Sequence, residues 1–183
     1  MDSTPVSLVL RLHRLDDTEA WRRFAELIVP LLDAWARRLG LQEAEAADLV
    51  QDVFAILLEQ LPSFRYDPKR SFRGWLWTIL SRTAGKRSRR PQPAFVPAET
   101  LERPSVVEPP DEAEFRRYLV GRALQVMTTD FNPETWKACW AVVAENRPAK
   151  EVARDLGMSV NAVYLARSRV LARLRRELEG MLD

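Results

Sequence analysis

Six of the chain's twelve prolines fall within twenty residues, at positions 91, 93, 97, 104, 109 and 110. Proline lacks an amide donor and its ring clashes with the preceding turn of a helix, so no long helix or central strand can pass through such a stretch. Segment 91–113, PQPAFVPAETLERPSVVEPPDEA, shows neither helical nor strand periodicity. It reads as a Pro-rich, semi-rigid linker. The 183 residues are thereby divided into about 90 before it and about 70 after it. Each part is small, and each must pack helix on helix to bury enough apolar surface.

The periodicity on both sides is helical. In 18–39, Trp21, Phe24, Ile28, Leu31, Trp35 and Leu39 recur at intervals of three and four, and Gly40 follows. Pro30 lies inside this run and is expected to kink or split it. In 43–61, Leu49, Val50, Val53, Phe54, Leu57, Leu58 and Leu61 form a second stripe, stopped by Pro62. Phe72, Trp75, Leu76, Ile79 and Leu80 form a third. Beyond the linker, Phe115, Tyr118, Leu119 and Leu124 mark a fourth helix. Asn132-Pro133 supplies an N-cap and a first-turn proline for a fifth, carrying Trp136, Cys139, Trp140 and Val143. The expected fold is all-α: two small helical domains, 1–90 and 112–183, joined by a Pro-rich acidic linker at 91–111.

Composition removes most enzyme templates. One Cys and one His leave no disulfide, no Cys cluster and no His pair for a metal, and six isolated Gly leave no phosphate-cradling loop. No catalytic residue, cofactor or metal is expected. No apolar run reaches the length of a membrane span, and no signal peptide is read at the N-terminus, so the expected location is cytoplasmic. The formal net charge is only +2, but it is unevenly spread. From Arg65 to Arg90 nine basic residues face one acid, Asp67; segment 91–114 has six acids against Arg103; from Arg147 to Arg176 eight basic residues face Glu151 and Asp155. Two basic patches joined by an acidic tether suit two contacts with a polyanion.

The most specific local pattern is Ala149 to Val163, AKEVARDLGMSVNAV. A helix-turn-helix needs a small residue where its helices meet, and Ala153 fits. It needs a turn residue that tolerates positive φ, and Gly157 stands four positions later. Val152, Leu156, Met158, Val160 and Val163 occupy the core-facing places, and Ser159 can cap the second helix. Such a unit lays its second helix in the DNA major groove. Asn161, Ala162, Tyr164, Leu165, Ser168 and Arg169 would then be presented to bases, with Arg147, Lys150, Arg167 and Arg173 available to phosphates.

In the first part, Ala46–Phe54 (AADLVQDVF), Leu61–Pro68 (LPSFRYDP) and Phe72–Ile79 (FRGWLWTI) resemble region 2 of the extracytoplasmic-function sigma factors of bacterial RNA polymerase. The helix-turn-helix and the following Arg169–Arg175 (RVLARLR) resemble region 4, in the same order and after a linker. Asp48, Gln51, Asp52 and Glu59 lie opposite the apolar stripe of their helix, a hydrogen-bonding ridge suited to a protein partner. The resemblance implies that this ridge docks on core polymerase. Tyr66, Lys69 and Arg70 fall in a loop suited to a splayed base and its phosphate. Trp75 continues the apolar stripe of its helix, whereas Trp77 is expected off it, meeting unpaired bases. Arg73, Arg82, Lys86 and Arg87, with Arg89 and Arg90, would hold the backbone. The resemblance implies that these groups recognise and melt the −10 promoter element while the second domain reads the −35.

Fully extended, segment 91–113 reaches at most about 75 Å, so the two domains could grip elements two turns of DNA apart. With no Cys/His cluster for sensing, the resemblance makes an anti-sigma factor the natural regulator. The residues alone also admit a stand-alone helix-turn-helix regulator, or a polymerase-binding adaptor that contacts only protein.

Overall fold

The computed structural model describes residues 7–65, 71–88 and 111–182. Within them the protein is all-α, and no strand occurs among the described residues. The helices are α1 (Leu8–Arg11), α2 (Thr18–Arg38), α3 (Glu43–Gln60), α4 (Phe72–Ser88), α5 (Glu112–Met127), α6 (Pro133–Val143), α7 (Ala149–Leu156) and α8 (Val160–Leu178). Single 3₁₀ turns extend α3 at Leu61–Ser63 and α5 at Thr128–Asp130.

Helix boundaries follow local chemistry. Asp17 caps α2, its carboxylate accepting from the Ala20 amide at 3.0 Å. Gln42 and Glu45 form a capping box at the start of α3. Asn132 caps α6 and Pro133 takes its first position. The α2 helix runs on through Pro30, with Gly40 in the left-handed region just past its end.

The first core is made by α1–α4 and is completed by the second half of the chain. Phe24, Leu27, Ile28, Leu32, Leu49, Leu57 and Leu76 are fully buried in it. So are Phe115, Leu119, Ala123 and Met127 of α5, and Leu178 and Met181 at the end of α8 join the same cluster. Ring contacts cross between the halves: Trp35 of α2 lies 6.1 Å from Phe115. A second, smaller core of Ala138, Ala141, Val152, Ala153, Val163 and Ala166 joins α6, α7 and α8. The sequence leaves the two halves free to pivot about the linker. In the structure they share one core. The linker residues 91–110 lie outside the described residues.

The α6 stripe also differs from the expectation. Ala138, Cys139 and Ala141 are buried, while Trp140 and Val143 are exposed and Trp136 is half-buried. Close approach of α6 to α8 favours small side chains at the contact, so the large ones turn outward. Trp136 stacks between Phe131, at 6.3 Å, and Trp140, at 6.2 Å. Trp136 and Trp140, with Leu124, Val152 and Leu156, line an apolar groove of about 540 Å³.

Candidate nucleic-acid interface

The α4 helix carries most of the first basic patch. It starts where the Ser71 hydroxyl accepts from the Gly74 amide at 3.1 Å. An aromatic knot fixes this end: Phe64 lies 4.6 Å from Trp75 and 6.1 Å from Phe72, and Phe72 packs on Phe24. Trp75 is half-buried, and one side of it lines an open groove of about 740 Å³ between α3 and α4. Ile56 and Gln60 of α3 and Thr78, Arg82 and Lys86 of α4 complete its walls. Arg82 and Lys86 stand exposed, four residues apart on one face. The groove thus offers an aromatic edge, hydrogen-bonding groups and two cations, a set that suits an unstacked base and its backbone.

Trp77 is not part of this surface. It is 7% exposed and meets Trp35 edge to face, with ring centroids 5.5 Å apart. The expectation that it faces unpaired bases is therefore corrected. Helix α4 is covered on two flanks, by α3 on one side and by α2 on the other, so its buried arc is wider than one stripe. Trp77 lies only about 60° around the helix from buried Leu80.

Several expected phosphate-holding arginines are engaged within the chain. Arg73 donates to Glu112 of α5 at 2.8 Å. Arg87 reaches across to α3, to Asp48 at 3.2 Å and to Asp52. Two members of the acidic ridge are thus paired with a cation of the basic patch, while Gln51 and Glu59 are exposed. Tyr66, Lys69, Arg70, Arg89 and Arg90 lie outside the described residues.

In the second half, α7 and α8 are joined by Gly157, Met158 and Ser159. Gly157 adopts φ of 64°, a left-handed conformation that glycine takes without steric cost. The Met158 amide donates to the Ala153 carbonyl at 2.8 Å, closing the helix end. The Ser159 hydroxyl accepts from the Ala162 amide at 3.1 Å, opening the next. Val152, Ala153 and Val163 are buried as the pattern requires, with Leu156, Met158 and Val160 partly so.

The outward face of α8 holds Asn161, Tyr164, Leu165, Arg167, Ser168 and Arg169, all exposed, with Ala162 half-buried. Tyr164 is 52% and Leu165 47% exposed, large apolar surface that the fold leaves uncovered. Lys150 is exposed beside them at the start of α7. Arg147 instead pairs with Asp155, and its hydrogen bond holds that carboxyl below the usual carboxylate range. Arg173 is turned away from this face and binds Asp130 at 3.4 Å and Glu177.

Sequence reasoning missed the residues that answer it. Arg23 is 7% exposed and donates from Nε to Glu177 at 2.9 Å and from its two terminal nitrogens to Asp130 at 3.0 and 2.6 Å. Glu177 is 2% exposed. A signal existed: Arg23 falls in the buried series Ala20, Leu27, Leu31 of α2, and Glu177 follows Val163, Ala166 and Val170 at helical spacing on α8. A charge inside each apolar face marks a group that needs a buried partner, without saying which.

Among the described residues no group of three or more His, Cys, Asp or Glu side chains is placed to hold a metal ion. No helix among them is long and apolar enough to cross a membrane. Residues 24–92 match the family model of sigma-70 region 2. That span contains α3, α4 and the groove between them, and most of α2. The match supports a sigma-factor-like role in binding RNA polymerase. No curated protein matches the chain at a significant level.

Proposed function

We infer that the chain is a promoter-specificity subunit of bacterial RNA polymerase, of the two-domain extracytoplasmic-function type. The carrying observation is the region 2 match over residues 24–92, whose α3–α4 groove presents Trp75, Gln60, Thr78, Arg82 and Lys86 together. In this reading the first half binds core polymerase through the exposed ridge of α3 and holds the opened −10 strand along α4. Melting needs no catalytic group: a base that leaves the stack is captured by an aromatic face and a cationic backbone track, which shifts the equilibrium towards open DNA. Bond formation belongs to the polymerase.

The second half reads the −35 duplex. The exposed face of α8, with Asn161, Ser168 and Arg169 for base edges and Tyr164 and Leu165 for apolar contact, supports this assignment. A helix-turn-helix is the corresponding motif, and an anti-sigma factor is the expected regulating partner.

The test is DNA binding with and without sigma-free core polymerase, at fixed salt because phosphate contacts make affinity salt-dependent. A fluorescent fragment holding both elements should bind weakly to the chain alone and tightly to the reconstituted complex. Tight, specific duplex binding by the chain alone, unchanged by polymerase, would replace this reading with a stand-alone regulator.

A further inference from the structure

We infer that the outward face of α8 recognises thymine through its C5-methyl group, with Tyr164 and Leu165 as the residues that meet the methyls. This rests on the promoter reading above and deepens it, by naming the chemistry that the duplex element presents.

The face is built at helical spacing. At about 3.6 residues per turn, Asn161, Tyr164, Leu165, Ser168 and Ala172 fall within an arc of about 100°. All five are exposed, and the arc lies opposite the buried Val163, Ala166 and Val170. It carries no charge, and the fold leaves about half of Tyr164 and of Leu165 uncovered at its centre. Ser159 caps the helix, so Asn161, Tyr164 and Leu165 lie in its first two turns, the part that enters a major groove. From Asn161 to Ser168 the helix rises about 10 Å, or about three base-pair steps.

Charge decides what the face meets. From Val160 to Arg176 the helix carries five arginines and no acid. Arg167 and Arg169 border the arc on its two sides, and both are exposed. Lys150 stands exposed at the start of α7. An apolar centre between cationic margins complements a major groove, whose floor holds base edges and whose rims are phosphates. On that floor thymine alone among the four bases projects a methyl group, and apolar side chains are what recognise it. An arginine or lysine at 164 or 165 would select guanine instead. Asn161, one turn before Tyr164 and Leu165, has the paired donor and acceptor that the adenine edge takes. The face is thus matched to a run of A·T pairs.

Deoxyuridine provides the test, because it pairs as thymine does and lacks only the methyl. The complex of the full chain with sigma-free core polymerase first enriches fragments from a randomised duplex library at fixed salt. Each thymine of the upstream enriched element is then replaced singly by deoxyuridine in a synthetic duplex with unmethylated cytosines. Affinity for the complex is read by competition against the fluorescent parent fragment. Loss of one buried methyl should weaken binding about fourfold at one or more positions. In complexes made with Tyr164→Ala or Leu165→Ala, the penalty at the position each residue meets should fall below about 1.5-fold.

A parent penalty below about 1.5-fold at every thymine, or an upstream element without thymine, overturns the inference and leaves the promoter reading standing. That measurement uses the unaltered chain and does not depend on any variant folding. A penalty that persists unchanged in both alanine variants overturns the inference as well: the methyl is then felt by other residues, and the apolar face of α8 is left to a protein partner. If the complex enriches no sequence at all, the promoter reading fails and the inference fails with it.

Discussion

Replacing Trp77 by alanine separates a core residue from a DNA contact. A tryptophan side chain carries roughly 200 Å² of largely apolar surface. Trp77 is 7% exposed, so nearly all of it leaves water on folding. At about 25 cal/mol per Å² this is an upper bound of about 5 kcal/mol. The edge-to-face contact with Trp35 adds to the loss, and partial collapse of the site subtracts from it. An expected cost of about 4 kcal/mol follows. For 183 residues the unfolding entropy is about 0.38 kcal/mol/K, so Tm should fall by about 10 °C. Trp75→Ala, at a half-buried site, should cost about 2 kcal/mol and act mainly on strand opening. The assay is urea unfolding of both variants, with slopes checked for two-state behaviour. A Trp77 cost below about 1 kcal/mol, or a Trp75 cost equal to it, would refute the two-flank account of α4.

Gly157→Ala forces a Cβ into the left-handed conformation and should destabilise the α7–α8 unit by about 1–2 kcal/mol, read in thermal unfolding. Tyr164→Ala and Arg169→Ala, both at exposed positions, should leave Tm within about 2 °C yet weaken binding to a −35 duplex at least fivefold; unchanged affinity in both would sink the reading of α8. Arg11 and the Ala20 amide hold the Asp17 carboxyl down to about 2. The folded value lies below the unfolded one of about 3.9, so this stabilisation is present above pH 4 and is lost as pH falls towards 2. Asp17→Asn keeps a cap but removes the pairing, so its stability deficit against the parent should shrink between pH 5 and pH 2 in acid titrations followed by circular dichroism.

The helices were legible because each buries at least one face at a period near 3.6, and the caps at Asn132 and Ser159 and the turn at Gly157 are local chemistry. What the stripes did not reveal was how many neighbours each helix has. Trp77 was misplaced because α4 is covered on two flanks, and Trp136 and Trp140 because α6 meets α8 through alanines. The outward face of α8 was readable, since it is what remains once Val163, Ala166 and Val170 turn inward. The partners of Arg23 were not, since Glu177 stands 154 positions away and only the folded chain brings them together. The same holds for Arg73, Arg87 and Arg173: their charge is visible in the sequence, but the acids that engage them are set by tertiary packing.

The central claim is that this chain directs core polymerase to promoters. Run-off transcription with purified chain, sigma-free bacterial core polymerase and a library of promoter fragments tests it most directly. The account predicts transcripts that need both proteins, with start sites downstream of two shared sequence elements about two turns of DNA apart. Folded chain that binds core polymerase yet yields no transcript from any fragment would contradict it.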